Sequence, residues 1–295
     1  AREATEAMQE TSLLLGRARA AREGEMTPWV EVTQAARRAE ALLARPEVAP
    51  DLRREIRGLA ATVDLERDQA EEHSKDGRTL ERLASIHTDI ALDLDFGRAD
   101  REYETAFREY GLDLGRLSPA DAGARIAAAP IAAQMVDALD QWAFVRRIAS
   151  ARDSSQALLL SAVAKAADPD PWRCRLRDAL DLEPTDRERA RATFQELAAT
   201  APEGALHRES ISRLAYALGQ LGERESETAL LRRAQRSHPE DFWINHDLAR
   251  SLMGAGESDE AARFYSAAVA IRPRSQLALR GLREATLVHV ADHES

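Results

Sequence analysis

Apolar residues recur along this chain at intervals of three and four, with polar and charged residues filling the positions between them. That period belongs to amphipathic helices, and no segment keeps the strict alternation of a half-buried strand. The pattern predicts fifteen helices, over 1–23, 28–45, 49–75, 79–93, 97–110, 119–128, 131–151, 154–167, 171–180, 186–200, 208–220, 223–237, 242–254, 257–271 and 276–289. The prolines punctuate these helices and interrupt none of them. Thr27-Pro28, Ser118-Pro119 and Asp170-Pro171 each read as a capping residue followed by proline in the first helical position. Thr185-Asp186-Arg187-Glu188 has the spacing of a capping box.

Many helices joined by short polar links form either a bundle or a stack of repeats, and an internal period decides between them. Pro239 and Pro273 are 34 residues apart. Between them Leu248, Ala249, Gly256, Ala261, Tyr265, Ala268 and Pro273 fill positions 7, 8, 15, 20, 24, 27 and 32 of the tetratricopeptide pattern. The small residues let two antiparallel helices approach, the tyrosine fills the space between them, and the proline ends the second helix. One period earlier, Leu214, Ala215, Leu218, Gly222, Leu231, Ala234 and Pro239 hold positions 7, 8, 11, 15, 24, 27 and 32. Glu227 takes position 20 there in place of a small residue, which predicts a hairpin splayed at that point or shifted by one residue onto Thr228.

The expected architecture is therefore an all-α, helical-hairpin (tetratricopeptide-like) solenoid. It is regular at 208–241 and 242–275, with a terminal helix over 276–290, and degenerate over 1–200. Upstream echoes are shorter: Ala190, Phe194 and Pro202; Ala99, Tyr103 and Ala106; Val32, Ala36 and Ala39.

Composition narrows the class of function. Aromatic residues are only 5% of the chain, so the core is mostly Ala and Leu, both strong helix formers. The net charge of −10 argues against a general nucleic-acid partner, which needs a clustered basic field. Lys75 and Lys165 are the only lysines, a bias read as that of a GC-rich coding sequence. One cysteine, Cys174, excludes an intramolecular disulfide and fits a reducing, cytoplasmic setting. No apolar run approaches the ~18 residues that read as a membrane-spanning helix. The sequence opens at Ala1 inside a helical pattern and without a secretory signal, which reads as a fragment of a longer protein.

Catalytic motifs are missing as sets. Asp95-Phe96-Gly97 spells a kinase metal-binding triplet but lacks the glycine-rich loop, strand lysine and catalytic loop that the chemistry requires. Phe96 reads instead as an apolar residue at a helix junction. The seven histidines never adopt a metal-ligand spacing. No metal, cofactor or catalytic residue is assigned, and the segment is read as non-enzymatic. Trp29 reads as a staple between the first two helices, Trp142 as core, and Trp172 as packing on its own turn.

In a tetratricopeptide hairpin, positions 2, 5, 9 and 12 of the first helix face the concave groove. That register selects Glu209, Ser212 and Tyr216, then Trp243, His246, Arg250 and Met253, then Arg280 and Glu284. His246 and Arg250 stand where a carboxylate clamp carries Lys and Asn. Arg250 with Arg280 suits an acidic peptide, and Trp243 and Tyr216 are flat anchors of the kind that dominate interfaces. The partner class is a protein or peptide.

Arg37–Ala44 (RRAEALLA), Asp95–Leu114 (DFGRADREYETAFREYGLDL), Trp142–Arg147 (WAFVRR), Ala167–Leu180 (ADPDPWRCRLRDAL) and Leu230–Trp243 (LLRRAQRSHPEDFW) run from near the start to the last full repeat. As a set they resemble the C-terminal region of planctomycete-type bacterial serine/threonine protein kinases. The resemblance implies a non-catalytic scaffold for signal transduction. The kinase domain would lie upstream of Ala1, and ATP and magnesium would belong to that domain alone. The alternative is the repeat domain of a transcriptional regulator.

Overall fold

The structure, a computed structural model, describes residues 2–22, 24–93, 95–149, 155–182, 186–201 and 208–293, without the side chains of 90–93 and 289–293. Among the described residues there are fourteen α-helices and no strand. They form two compact units, 1–85 with 109–111, and 86–108 with 112–295.

In the first unit α1 (Arg2–Arg19) pairs with α2 (Thr27–Ala41), which runs into a single 3-10 turn, Leu42–Ala44. Trp29 is buried among Leu15, Ala18, Val32, Ala36, Ala60 and Val63, so it does staple the first helices to α3 (Pro50–Asp93). Met26, not Thr27, caps α2, and it makes no side-chain hydrogen bond there; Thr27 is already helical. Helix α2 also ends short of its predicted limit. The carbonyls exposed at Leu43, Arg45 and Val48 accept from the guanidinium of Arg53 at 2.6, 2.6 and 2.9 Å. Those bonds satisfy backbone groups that a helix end leaves open.

The helices predicted over 49–75 and 79–93 are one helix of 44 residues. Gly77 lies in the predicted gap, but a lone glycine costs a helix only about 1 kcal/mol relative to alanine. Nothing competes with the helix at that point. Thr79 donates its hydroxyl to the Lys75 carbonyl at 2.9 Å instead of capping a new helix. The buried carboxylate of Asp76 accepts from Tyr110 at 2.7 Å, which gives this stretch tertiary support.

The second unit holds the end of α3, then α4 (Phe96–Glu109), α5 (Pro119–Ala127), α6 (Ala132–Ala149) and α7 (Ser155–Ala167). Tyr103 and Phe107 of α4 stack on Trp142 of α6, at 6.1 and 5.5 Å between ring centroids. Asp100 accepts from both the Trp142 indole and Arg146. Trp142 is thus core, as its pattern predicted. Helices α5 and α7 approach so closely that a Cβ on Gly123 would lie 2.4 Å from that of Ala166.

From there the chain stacks hairpins: α8 (Pro171–Leu182) with α9 (Arg187–Ala199), α10 (Arg208–Gln220) with α11 (Arg224–Ser237), and α12 (Phe242–Ala255) with α13 (Ser258–Ile271). Helix α14 (Gln276–His293) packs on α13. This is a helical-hairpin solenoid. Leu176, Phe194, Leu214, Leu231, Leu248 and Tyr265 belong to one continuous core, so α8 and α9 are a further hairpin that the sequence showed only through Ala190 and Phe194. Pro202, the third residue of that echo, lies outside the described residues.

The two repeats share a turn as well as a pattern. Gly222 and Gly256 have φ of 80° and 81°, and in each the following N–H bonds a carbonyl five residues back at 2.9 Å (Glu223 to Leu218, Glu257 to Leu252). A left-handed glycine with that bond is the helix-ending motif that position 15 requires. Ser118 and Asp170 cap α5 and α8 as predicted, accepting from Asp121 N at 3.1 Å and Arg173 N at 2.8 Å. The cap of α9 is Asp186, which accepts from Arg189 N at 3.2 Å. The capping box read from Thr185 is therefore displaced by one residue, and Thr185 itself lies outside the described residues.

Glu227 is buried at position 20, and the space comes from across the hairpin, where a Cβ on Gly219 would lie 2.9 Å from its carboxylate. The small residue has moved from α11 to α10. Thr228 is also buried, and its hydroxyl shares a hydrogen bond of 2.8 Å with Ser251 of α12.

Candidate functional site

Residues three, four and seven apart share one face of a helix. On α10 that face carries Glu209, Ser212, Arg213 and Tyr216; on α12 it carries Trp243, Asp247 and Arg250; on α14 it begins with Leu277. These three first helices line one cavity of about 540 Å³ in the second unit. The opposing wall comes from earlier helices: His87 of α3, Phe96 of α4, and Gln141, Phe144 and Ile148 of α6. The size falls within the range of about 300–1,000 Å³ typical of ligand sites, and most of the surface it presents is apolar although charged side chains stand among its lining.

Aromatic edges set the shape. Phe144 and Tyr216 meet at 90° with centroids 5.1 Å apart, and His87 meets Trp243 at 78° and 5.2 Å. Burial pushes the His87 pKa down, and the Arg208, Arg213 and Arg272 charges add to that against the opposing pull of Glu209. His87 is therefore a neutral ring in the wall at pH 7.

Most charges in the cavity are already matched. Arg208 pairs with Glu209 and with Asp241, the latter at 3.0 Å, and Arg250 pairs with Glu227 at 3.0 Å. Arg213, 7% exposed, donates to Asp140 of α6 at 3.2 Å, while its Nη1 has no hydrogen-bond partner. Asp140 also accepts from Arg177 of α8 at 2.9 and 3.0 Å. Burial opposes the Arg177 charge, but Asp140 and Asp168 outweigh it and hold its pKa above the ordinary value.

A second cavity of about 420 Å³ shares Trp243 and Leu277 with the first. Its wall adds Phe242, Arg272, Pro273 and Arg274. The Arg272 guanidinium lies over the Phe242 ring at 4.6 Å and toward that of Trp243 at 5.7 Å.

Of the nine groove residues selected by register, Glu209, Ser212, Tyr216, Trp243 and Arg250 line the larger cavity together. Four do not. His246 is buried, with its ring against Phe242 at 6.1 Å and Tyr265 at 5.7 Å, so α12 turns position 6 (Asp247) to the cavity instead of position 5. Met253 packs on the hairpin core. Arg280 and Glu284 are exposed outside the lining, where α14 contributes Leu277 at position 2. Leu277 obeys the same register rule, so the sequence carried its signal. Phe96, at a helix junction as expected, belongs to the cavity, with Asp95 capping α4 through Arg98 N at 2.8 Å. Trp172 does not pack on its own turn; its indole donates to the Leu197 carbonyl of α9 at 3.3 Å.

Among the described residues no group of three or more His, Cys, Asp and Glu side chains could hold a metal ion. No described helix is long and apolar enough to cross a membrane. Burial pushes the Cys174 thiol pKa up, away from the thiolate form that reacts.

No family model matches the chain, and no curated protein matches it. Among solved structures it is similar to the crystal structure of the P58(IPK) TPR domain, at 15% identity and a TM-score of 0.34, over 99% of this chain and 80% of that one.

Proposed function

We propose that this chain is a non-catalytic binding module whose larger cavity receives a segment of another protein. The observation that carries the reading is the convergence of three first helices on one apolar cavity. Tyr216 and Trp243 stand in its wall as rigid aromatic anchors. Large aromatic side chains contribute contact area at low entropic cost and dominate binding energy where they are desolvated. The ionisable groups of the cavity are mostly engaged in ion pairs, an arrangement suited to shape and charge recognition. Tyr216→Ala with Trp243→Ala, in a variant that keeps its helical circular dichroism, should abolish capture of proteins that the parent chain retains from a lysate of its own cells. An unchanged set of captured proteins would overturn the reading.

We also propose that the module is the tail of a bacterial serine/threonine protein kinase. The segments Asp95–Leu114 and Leu230–Trp243 support this by their resemblance to such tails. The reading frame upstream of Ala1 is the test. A kinase signature there supports the proposal, and a helix-turn-helix module or any other domain removes it.

A further inference from the structure

We infer that the segment taken up is a short peptide in which a bulky apolar residue is directly flanked by an acidic one. The apolar side chain fills the larger cavity and the carboxylate meets Arg272 and Arg274 at the smaller. This rests on the reading of the larger cavity as a peptide site.

The two cavities are neighbours, because Trp243 and Leu277 stand in the wall of both. One extended ligand can therefore occupy them with successive residues. Their chemistry differs. In the larger cavity Arg208, Arg213 and Arg250 are each opposed by a carboxylate, from Asp241, Asp140 and Glu227. The lining of the smaller cavity holds Arg272 and Arg274 and no acidic residue. Neither arginine forms an ion pair among the described residues. On a chain of net charge −10 this is a local cationic end beside an apolar hollow.

Arg272 is also held ready. A guanidinium held over an aromatic face by cation–π attraction still has N–H donors to offer a carboxylate. Arg250 and Arg280, the pair that register alone suggests, are less suitable. The first is engaged by Glu227 and the second lies outside both linings.

The test is selection from a random displayed-peptide library against the whole chain, followed by fluorescence anisotropy with one enriched peptide. The expected sequences pair Phe, Leu, Ile, Met or Trp with an adjacent Asp or Glu. Arg272→Glu with Arg274→Glu should weaken the enriched peptide by about tenfold or more. Changing its acidic residue to Lys should restore binding to that variant. Both arginines are exposed. Arg272→Gln with Arg274→Gln serves if the Glu pair lowers the melting temperature. Enriched peptides without an acidic flank, or an affinity indifferent to both arginine pairs, would overturn the inference and leave the peptide site standing. Enrichment of no peptide would overturn both.

Discussion

Glu227, which solvent does not reach, accepts a hydrogen bond from Arg250 at 3.0 Å, so the second helix of one hairpin is tied to the cavity-lining face of the next. Its other oxygen has no partner. Burial pushes the Glu227 pKa up more strongly than Arg250 and Arg224 pull it down. The native state then binds this proton more tightly than the unfolded chain does. The contribution to stability is complete at acid pH and is lost as pH rises from the ordinary carboxylate range through the raised value. Glu227→Gln carries no such proton. Urea unfolding of the two proteins across acid to neutral pH should show the difference growing in favour of Gln as pH rises. A difference that is flat, or runs the other way, would contradict this account.

The left-handed turns make a matched pair. An L side chain in that conformation costs roughly 1–2 kcal/mol, and neither glycine has a heavy atom near the position a Cβ would take. Gly222→Ala and Gly256→Ala should therefore each destabilise by about that amount and by nearly the same amount. Unequal losses in denaturant midpoints would mean that the two repeats do not share one turn.

Helical glycines separate by what lies opposite them. Gly58 in α3 has open space around it, so Gly58→Ala should stabilise by up to about 1 kcal/mol through helix propensity. Gly123 faces Ala166 across the α5–α7 crossing, and a Cβ there would also lie 2.8 Å from backbone. Overpacking of that kind costs about 1–3 kcal/mol, enough to outweigh the propensity gain. Thermal unfolding should move in opposite directions for the two variants.

Asp140, 8% exposed, answers two buried guanidiniums. Asp140→Ala leaves Arg213 without its carboxylate and Arg177 with Asp168 alone, and breaking a buried pair in that way costs about 3–5 kcal/mol. Replacing Asp140, Arg177 and Arg213 together by apolar residues of similar volume should recover most of the loss. A single variant as costly as the triple would show that packing, and not charge, is what Asp140 supplies.

Features fixed by neighbours in sequence were readable in advance. The prolines at 239 and 273 and the glycines at 222 and 256 mark backbone geometry that few other residues adopt, so the hairpins could be placed to within a residue or two. Five of the nine residues that helix period selects line the larger cavity. The opposing wall was not readable in that way. His87, Phe96, Gln141, Phe144 and Ile148 come from helices with no fixed register to the repeats, and only tertiary packing brings them there. His246 shows the limit from the other side. The period locates a face to within one position, and a small rotation of α12 exchanges it for Asp247. Helix α3 runs through the predicted gap at 76–78 because a glycine with no competing cap is only a weak interruption, and Glu227 has room at position 20 because Gly219 stands opposite it.

The Asp140 contacts also bear on the dimensions of the cavity. Helix α6 carries Phe144 and Ile148 on one wall, and α10 carries Ser212 and Tyr216 on the other. The bond from Arg213 to Asp140 spans those two helices directly. A desolvated ion pair is strengthened by its low-dielectric surroundings and loses energy when stretched. The pair therefore acts as a calliper that fixes the gap between the walls. Salt, which screens exposed charges and spares buried ones, should leave that aperture unchanged.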